Sequence, residues 1–397
     1  MKSYKFRLYP NKSQQEILNQ WIGSSRWIWN YMLDMNKSKY EKEKKFAFYI
    51  EMNNLLPDLK KQPETSWLKE VPSQVLQQKC QDLSGAMGKS FKRKQTGFPN
   101  FKSKKLDQSG IRFPQGWSIS ENRINLPKLK AIKFKQHREI QGDMTSCSIT
   151  KDRCGDWWVS ILTAYEAVTD KAINPSLSIG IDVGLKEFAV TSDGEIFENP
   201  RHLRKSEKRL IKYQRSLSRK EKGSNNKERS RVVLARLHRK VSFQRNDFIN
   251  KFVSSITKMN DVVCVEDLNI AGMKKNHKLA KSISDVGWGY MYMKLQQKLT
   301  EQGKLLLKID QFAPSSKSCS CCGTKQDMPL NVRTYKCNTC GLELDRDFNA
   351  ALNIRNWAMR MRFDIASTVG TTGSYACGDM IPSEESAHEA TESLVRW

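Results

Sequence analysis

Ser178-Ile179-Gly180-Ile181-Asp182-Val183-Gly184, followed by Phe188-Ala189-Val190 and Asp193-Gly194-Glu195-Ile196-Phe197, is the stretch on which the fold turns. Ile179, Ile181 and Val183 alternate with Gly180 and Asp182, the two-residue period of a strand with one apolar face. Gly184 turns the chain. Phe188–Val190 predicts a second strand, and Asp193-Gly194 is a hairpin signal leading into a third at Glu195–Phe197. The segment predicts three consecutive antiparallel strands. The first carries a carboxylate on the face opposite its apolar side.

Three antiparallel strands in succession are how an RNase H-like sheet begins. Downstream, residues 201–245 hold 17 lysines and arginines against three glutamates. Leu210, Leu217, Val233, Leu234, Leu237 and Val241 recur there at helical spacings, predicting a long helical hairpin with a basic face. Such a face is often only solvated, but its density here favours phosphate contact, with Arg209, Arg215 and Arg219 as candidates. Val262-Val263-Cys264-Val265 is a short continuous apolar run, as in a strand buried on both faces, and Glu266 stands at its end. Lys304–Ile309 predicts another strand, and a helix is expected from about Phe348 to Met361. Residues 366–397 have few apolar anchors and predict a disordered or loosely packed tail.

Upstream, Tyr4, Phe6 and Leu8 alternate with Lys5, Arg7 and Tyr9 in a half-buried strand that Pro10 stops. Ser13 is a candidate cap for a helix running through Ile17, Leu18, Trp21 and Ile22. Helical segments continue to about residue 95, interrupted at Pro57, Pro63 and Pro72. Their aromatic residues, Trp21, Trp27, Trp29, Tyr31 and Trp67, suit core packing, with stacking on bases as the alternative. Residues 89–105 interleave Lys89, Lys92, Arg93, Lys94, Lys102, Lys104 and Lys105 with Phe91, Phe98 and Phe101, a pattern suited to a nucleic-acid strand. Lys92, Arg93, Lys102 and Lys104 are the candidate contacts. Residues 110–170 predict short strands which, with residues 4–9, could close a small barrel. The helical stretch of about 12–95 would then be an insertion in it. Asn174-Pro175-Ser176 marks a boundary.

The 397 residues include 68 lysines and arginines against 42 aspartates and glutamates, a net charge of +26. So large an excess calls for a polyanionic partner, most simply DNA or RNA. No run approaches the roughly 18 apolar residues of a membrane helix. Met1-Lys2-Ser3 leads directly into a strand pattern, so no signal peptide and a cytoplasmic, nucleoid-associated location are expected. Of ten cysteines, four form Cys319-x-x-Cys322 and Cys337-x-x-Cys340, each pair followed by glycine (Gly323 and Gly341). Two such knuckles supply four thiolates to one structural Zn²⁺. A redox pair would need only one of them, and Cys321 does not fit the spacing of the second.

Three acids stand out by setting: Asp182 in its strand, Glu266 at the end of the buried strand, and Asp347 at the start of the helix. Singly, each has an ordinary explanation as a turn residue, a solvated strand end or a helix-start acid. Together they form a set that can converge and bind Mg²⁺, which offsets their repulsion and supports phosphodiester hydrolysis. Asp345 competes with Asp347. Asp347 is preferred because it directly precedes Phe348-Asn349-Ala350-Ala351, leaving Asp345 as a cap or supporting group. Arg346 either contacts the scissile phosphate or pairs with an acid. The five histidines form no close motif.

Taken together, these stretches resemble the TnpB family, transposon-encoded RNA-guided nucleases related to the miniature type V CRISPR effectors. Tyr4–Pro10, Trp67–Ser73 and Gly97–Ser103 resemble its N-terminal blocks. Gly180–Gly184, Val265–Leu268 and Asp345–Asp347 match its three nuclease motifs in order, with the cysteine pairs between the second and third. The resemblance implies a multidomain α+β protein. Residues 1–175 would form a β-barrel (wedge) domain with a helical recognition insertion. Residues 176–312 would form the first part of an RNase H-like (RuvC) nuclease domain, containing a basic helical hairpin over 201–255. A zinc ribbon over 313–343 and the second nuclease part over 344–365 would follow. It also implies a guide RNA from the transposon end, double-stranded target DNA cut beside a short transposon-associated motif, catalytic Mg²⁺ at Asp182, Glu266 and Asp347, and a monomer. The alternatives are an RNA-guided repressor that does not cut and a stand-alone type V CRISPR effector.

Overall fold

The computed structural model describes residues 1–92, 97–104, 110–165, 172–329 and 331–363. Arg93, Lys94, Lys105 and the tail 366–397 lie outside the described residues. The chain divides between Glu166 and Ala167 into two compact units. No described helix is long and apolar enough to cross a membrane.

In the first unit β1 (Lys2–Tyr9) buries Tyr4, Phe6 and Leu8. The next element, α1 (Lys12–Glu43), is capped by Asn11, not by Ser13. Asn11 Oδ1 accepts the Gln14 amide at 2.9 Å while Gln14 Oε1 accepts the Asn11 amide at 3.0 Å. This reciprocal box satisfies two donors at once and leaves Ser13 inside the first turn. Short helices α2 (Tyr49–Asn54) and α3 (Leu56–Lys61) and a 3-10 segment (Pro63–Glu70) lead to α4 (Ser73–Lys92). Pro57 and Pro63 occupy first turns, where a missing N–H costs nothing, so they start helices as well as interrupting them.

The strands β2 (Ile111–Phe113), β3 (Ser118–Ser120), β4 (Arg123–Leu126), β5 (Leu129–Lys135), β6 (Asp143–Lys151) and β7 (Trp157–Ala164) join β1 in one antiparallel sheet. Its order is β2-β6-β7-β1-β5-β4-β3. The edges β2 and β3 do not pair, so the sheet is open where a closed barrel was expected. Each edge is only three residues long, too short a ladder to draw the sheet shut. Helices and sheet share one core, in which Trp21 meets Phe113 at 6.2 Å. Trp21 and Trp29 are buried in this core, in keeping with packing rather than stacking on bases.

The second unit is built on β8 (Ser178–Val183), β9 (Glu187–Thr191) and β10 (Ile196–Glu198), three antiparallel strands in succession. The basic hairpin follows as α5 (His202–Ser218) and α6 (Asn225–Met259), joined through Leu210, Leu234 and Leu237. Then β11 (Val262–Glu266) returns parallel to β8. After α7 (Ile270–Met273), α8 (Ala280–Val286) and α9 (Trp288–Glu301), β12 (Leu305–Ile309) adds parallel to β11. The sheet order is β10-β9-β8-β11-β12. Parallel neighbours need crossovers, and the helices supply them. A small hairpin of β13 (Thr334–Lys336) and β14 (Glu343–Asp345) precedes α10 (Arg346–Phe363).

Both faces of this sheet are covered. Ile179, Ile181, Val263 and Val265 pack with residues of α6 and α9, including Ile249, Phe252 and Leu295. Val262 and Cys264 pack on the other face with Ile354 and Ala358 of α10. This explains why β11 reads as an unbroken apolar run. The helix α10 lies so close to β8 that a Cβ on Gly180 would stand 2.1 Å from the Ala351 carbonyl oxygen and 2.8 Å from the Arg355 nitrogen.

Candidate active site and cysteine knuckles

The strand register places the first two acids. Ile181 is paired with Val265 across the parallel β8–β11 ladder, so the next residues, Asp182 and Glu266, end neighbouring strands side by side. Neighbouring strands lie about 4.8 Å apart, and equal register puts both side chains on one face. This is the carboxyl end of the parallel strands, where open α/β sheets form their clefts. The third acid, Asp347, is in the first turn of α10.

The electrostatics tie the three together. Burial pushes the Asp182 carboxyl well above its ordinary range, and the charges of Glu266 and Asp347 push it further. Arg346 and the Val183 amide oppose them. Burial also raises Glu266, against a hydrogen bond donated by Ser315 Oγ to Glu266 Oε1 at 2.5 Å. Asp347 faces Arg333 and Arg346, each with a nitrogen 3.3 Å from it. Asp345 caps α10, accepting the amides of Asp347 and Phe348 at 2.9 and 3.1 Å. The Tyr292 hydroxyl on α9 is buried without a hydrogen-bond partner. Burial raises its pKa, followed by the charges of Glu266, Asp182 and Asp267.

Among the described residues, the one group of three or more potential ligands drawn tightly together is Cys319, Cys322, Cys337 and Cys340, with all four sulfurs within 4.8 Å of one another. Asp182, Glu266 and Asp347 form no group as tight as this among the described residues. Cys319 and Cys340 Sγ are 3.6 Å apart, and Cys322 and Cys337 Sγ 3.5 Å. Zn–S bonds of about 2.3 Å put tetrahedral sulfurs about 3.8 Å apart, so the four thiols fit one zinc ion. The knuckles are alike: the Gly323 amide donates to the Cys319 carbonyl at 3.0 Å and the Gly341 amide to the Cys337 carbonyl at 3.1 Å. Both glycines have positive φ, 78° and 74°. Cys321 faces this cluster only from its margin.

The remaining candidates divide. Lys208, Lys212 and Arg215 share one exposed stripe of α5, continued by its C-cap residue Arg219, along a shallow cleft. Arg209 lies apart from it, beside the Tyr213 ring. Lys102 Nζ sits 3.9 Å from the Trp29 ring centre, and Asn30 brackets the Lys102 backbone at both its amide and its carbonyl. Lys92 and Lys104 are exposed. The guanidinium of Arg346 is held by Asp347 and the Val332 carbonyl, which favours pairing with an acid.

The sequence reading missed Ser315, Arg333, Tyr292, Asn349 and Asn353. The two asparagines lie four apart on α10, fully or almost fully buried. Their spacing on an otherwise apolar helical face was the available signal. Nothing local distinguishes Ser315 from the serines around it.

A family model described as "Probable transposase" matches residues 160–277, one described as "Cas12f1-like, TNB domain" matches 288–354, and one described as "Helix-turn-helix domain" matches 1–45. Over that last stretch this chain forms one strand and one continuous long helix. A protein of Streptomyces pristinaespiralis named "Putative RNA-guided DNA endonuclease" is 33% identical, covering 99% of this chain and 95% of its own length. "Putative RNA-guided DNA endonuclease InsQ" of Escherichia coli (strain K12) is 32% identical over 89% of this chain and 91% of its own. The cryo-EM structure of a Cas12f1–sgRNA–target DNA complex shares the fold with a TM-score of 0.50 at 16% identity, covering 87% of this chain and 83% of that one. The chain belongs to the TnpB family.

Proposed function

We propose that this protein is a transposon-encoded, RNA-guided DNA endonuclease that hydrolyses phosphodiesters at Asp182, Glu266 and Asp347 with Mg²⁺ bound. The observation that carries this reading is the half-buried Asp182 carboxyl, which faces the charges of Glu266 and Asp347 at the carboxyl end of β8 and β11. Such a cluster is costly by itself, and its all-oxygen donor set suits a hard divalent cation. The strand order β10-β9-β8-β11-β12, three antiparallel strands followed by two parallel ones, supports an RNase H-like (RuvC) nuclease domain in the second unit. The open sheet of the first unit would serve as the wedge domain carrying the helical recognition insertion.

Mg²⁺, when bound, supplies Lewis acidity and lowers the pKa of the attacking water. Asp182 and Glu266 would hold it from the sheet, and Asp347 from α10. Arg346 and Arg333, each with a nitrogen 3.3 Å from its carboxylate, hold Asp347 in place. The four-cysteine site has no open position, so its zinc is structural. The stripe of Lys208, Lys212 and Arg215 on α5, with Arg219 at its C-cap, offers a row of cations to a phosphate backbone. The relatives' names and the +26 charge support guide RNA and target DNA as partners. Base pairing, not side chains, would read most of the target sequence.

The test is protein copurified with its own RNA, given a plasmid library with a guide-matched target beside a randomised motif. Cutting in Mg²⁺ but not in EDTA, next to one enriched motif, is expected. Tight, guide-matched binding without cutting would replace this reading with that of a repressor.

A further inference from the structure

Three side chains, Asn349, Asn353 and Ser315, link the cysteine knuckles to the acidic centre. Asn353 Nδ2 donates to the carbonyls of Ser315 and Ser318 at 2.8 and 2.7 Å. Asn349 Nδ2 donates to the Ser318 carbonyl at 2.8 Å, and Asn349 Oδ1 accepts the Ser320 amide at 2.9 Å. These asparagines are 3% and 0% exposed, so their amides would be strongly destabilising without such partners. The clasped segment runs directly into Cys319. Within it Ser315 is held by its own amide, which donates to the Ala313 carbonyl at 2.8 Å, and by its carbonyl, which Asn353 binds. With its backbone fixed at both ends, Ser315 presents its Oγ to Glu266 Oε1 at 2.5 Å.

We propose that Ser315 is a positioning residue for Glu266, so that the segment leading into the zinc knuckles is a working part of the nuclease centre. It rests on the nuclease reading above. The geometry makes α10 the common frame of all three acids. It carries Asp347 in its first turn. It sits against Gly180, two residues before Asp182, through Ala351 and Arg355. Through Asn353 it holds Ser315, and Ser315 holds Glu266. A hydroxyl donated to one carboxylate oxygen fixes the rotamer and leaves the other oxygen to a cation. Groups that orient a metal ligand in this way typically account for 10–100-fold in metal affinity. A zinc ion bound by the four cysteines would, in turn, lock the chain immediately after the clasp.

The test compares the full zinc-loaded chain with Ser315→Ala and Ser315→Thr. Mn²⁺ binding is followed by electron paramagnetic resonance on RNA-free protein, with Asp182→Ala defining the background. The Mg²⁺ concentration for half-maximal cleavage is measured on RNA-bound protein. Ser315→Ala is expected to weaken Mn²⁺ binding about 10-fold and to raise the half-maximal Mg²⁺ by a similar factor. Zinc content should stay at one per chain, and the rate at saturating Mg²⁺ should fall less. Ser315→Thr keeps the hydroxyl and should bind Mn²⁺ within about twofold of the unaltered chain. Unaltered Mn²⁺ binding by Ser315→Ala overturns the proposal, as does a folded Ser315→Thr chain that binds as weakly as Ser315→Ala. If the unaltered chain binds Mn²⁺ through Asp182 yet does not cut, only the nuclease reading fails. A chain with no Asp182-dependent Mn²⁺ site overturns both.

Discussion

Asp182 and Glu266 end neighbouring parallel strands in the same register, one residue beyond the Ile181–Val265 pair. Their shared face brings two carboxyls together that a divalent cation would relieve, and burial raises both above their ordinary range. A carboxyl whose folded pKa is raised binds protons more readily in the folded state than in the unfolded one. Its ionisation therefore costs stability at neutral pH, and stability is regained as pH falls through the folded pKa toward about 4.

Asp182→Asn should accordingly raise the melting temperature in EDTA by several degrees at pH 8, at about 2–4 °C per kcal/mol for a domain of this size. The advantage should shrink toward pH 4, where the native carboxyl is also neutral. Adding Mg²⁺ should stabilise the unaltered chain and leave Asp182→Asn nearly unmoved. Melting curves with and without Mg²⁺ across pH 4–8 check this.

Cys337→Ser removes one of four thiols clustered within 4.8 Å. Burial pushes the Cys319 thiol up to about 12. Burial works in the same direction on Cys322, but hydrogen bonds with Thr324 and the neighbouring thiols outweigh it and bring that thiol down to about 6. Zinc must displace the remaining protons, so its retention should weaken in acid. Elemental analysis should find about one zinc per chain, with the variant losing it and several kcal/mol of stability.

Gly180→Ala places a methyl group 2.1 Å from the Ala351 carbonyl oxygen, a backbone atom that cannot swing aside. The helix α10 must retreat from β8, at a cost of about 3 kcal/mol or more. Because α10 also carries Asp347, cleavage should fall together with stability. Gly85→Ala at an exposed position of α4, with nothing within 4 Å, should instead stabilise by up to about 1 kcal/mol. Urea unfolding of the two variants decides.

Lys304 Nζ lies 3.2 Å from Asp261 and donates to the carbonyls of Thr257 and Asn260 at 2.7 and 3.0 Å, with both ionic side chains under 10% exposed. Lys304→Met leaves the Asp261 charge buried without its cation and should cost about 3–5 kcal/mol. A shifted urea midpoint with unchanged slope is the expected record.

Much of the second unit is legible in the sequence because its strands carry apolar side chains on one face or on both. Ile179 and Ile181 alternate with Gly180 because one side of β8 packs on α6 and α9 while α10 approaches the other too closely for a side chain, whereas Val262–Val265 runs unbroken because apolar side chains pack on both sides. Asp345 at the α10 cap was legible for the same local reason as any helix start. The Asn11 cap was not, since Asn11 and Ser13 both precede the apolar period and only the reciprocal bond to Gln14 decides between them. The open edges β2 and β3 were also hidden, because three-residue strands carry no pattern long enough to reveal closure. Ser315 was illegible for a different reason. Its partner Glu266 lies 49 residues away, and only the buried asparagines of α10 bring the two together.

The most direct measurement is single-turnover cleavage of guide-matched DNA by RNA-bound protein, unaltered and as Asp182→Ala, with RNA and DNA occupancy measured in the same samples. The account predicts Mg²⁺-dependent cutting by the unaltered chain. Asp182→Ala should hold equal RNA and DNA and cut no faster than the EDTA control. Full cutting by Asp182→Ala at equal occupancy would contradict it.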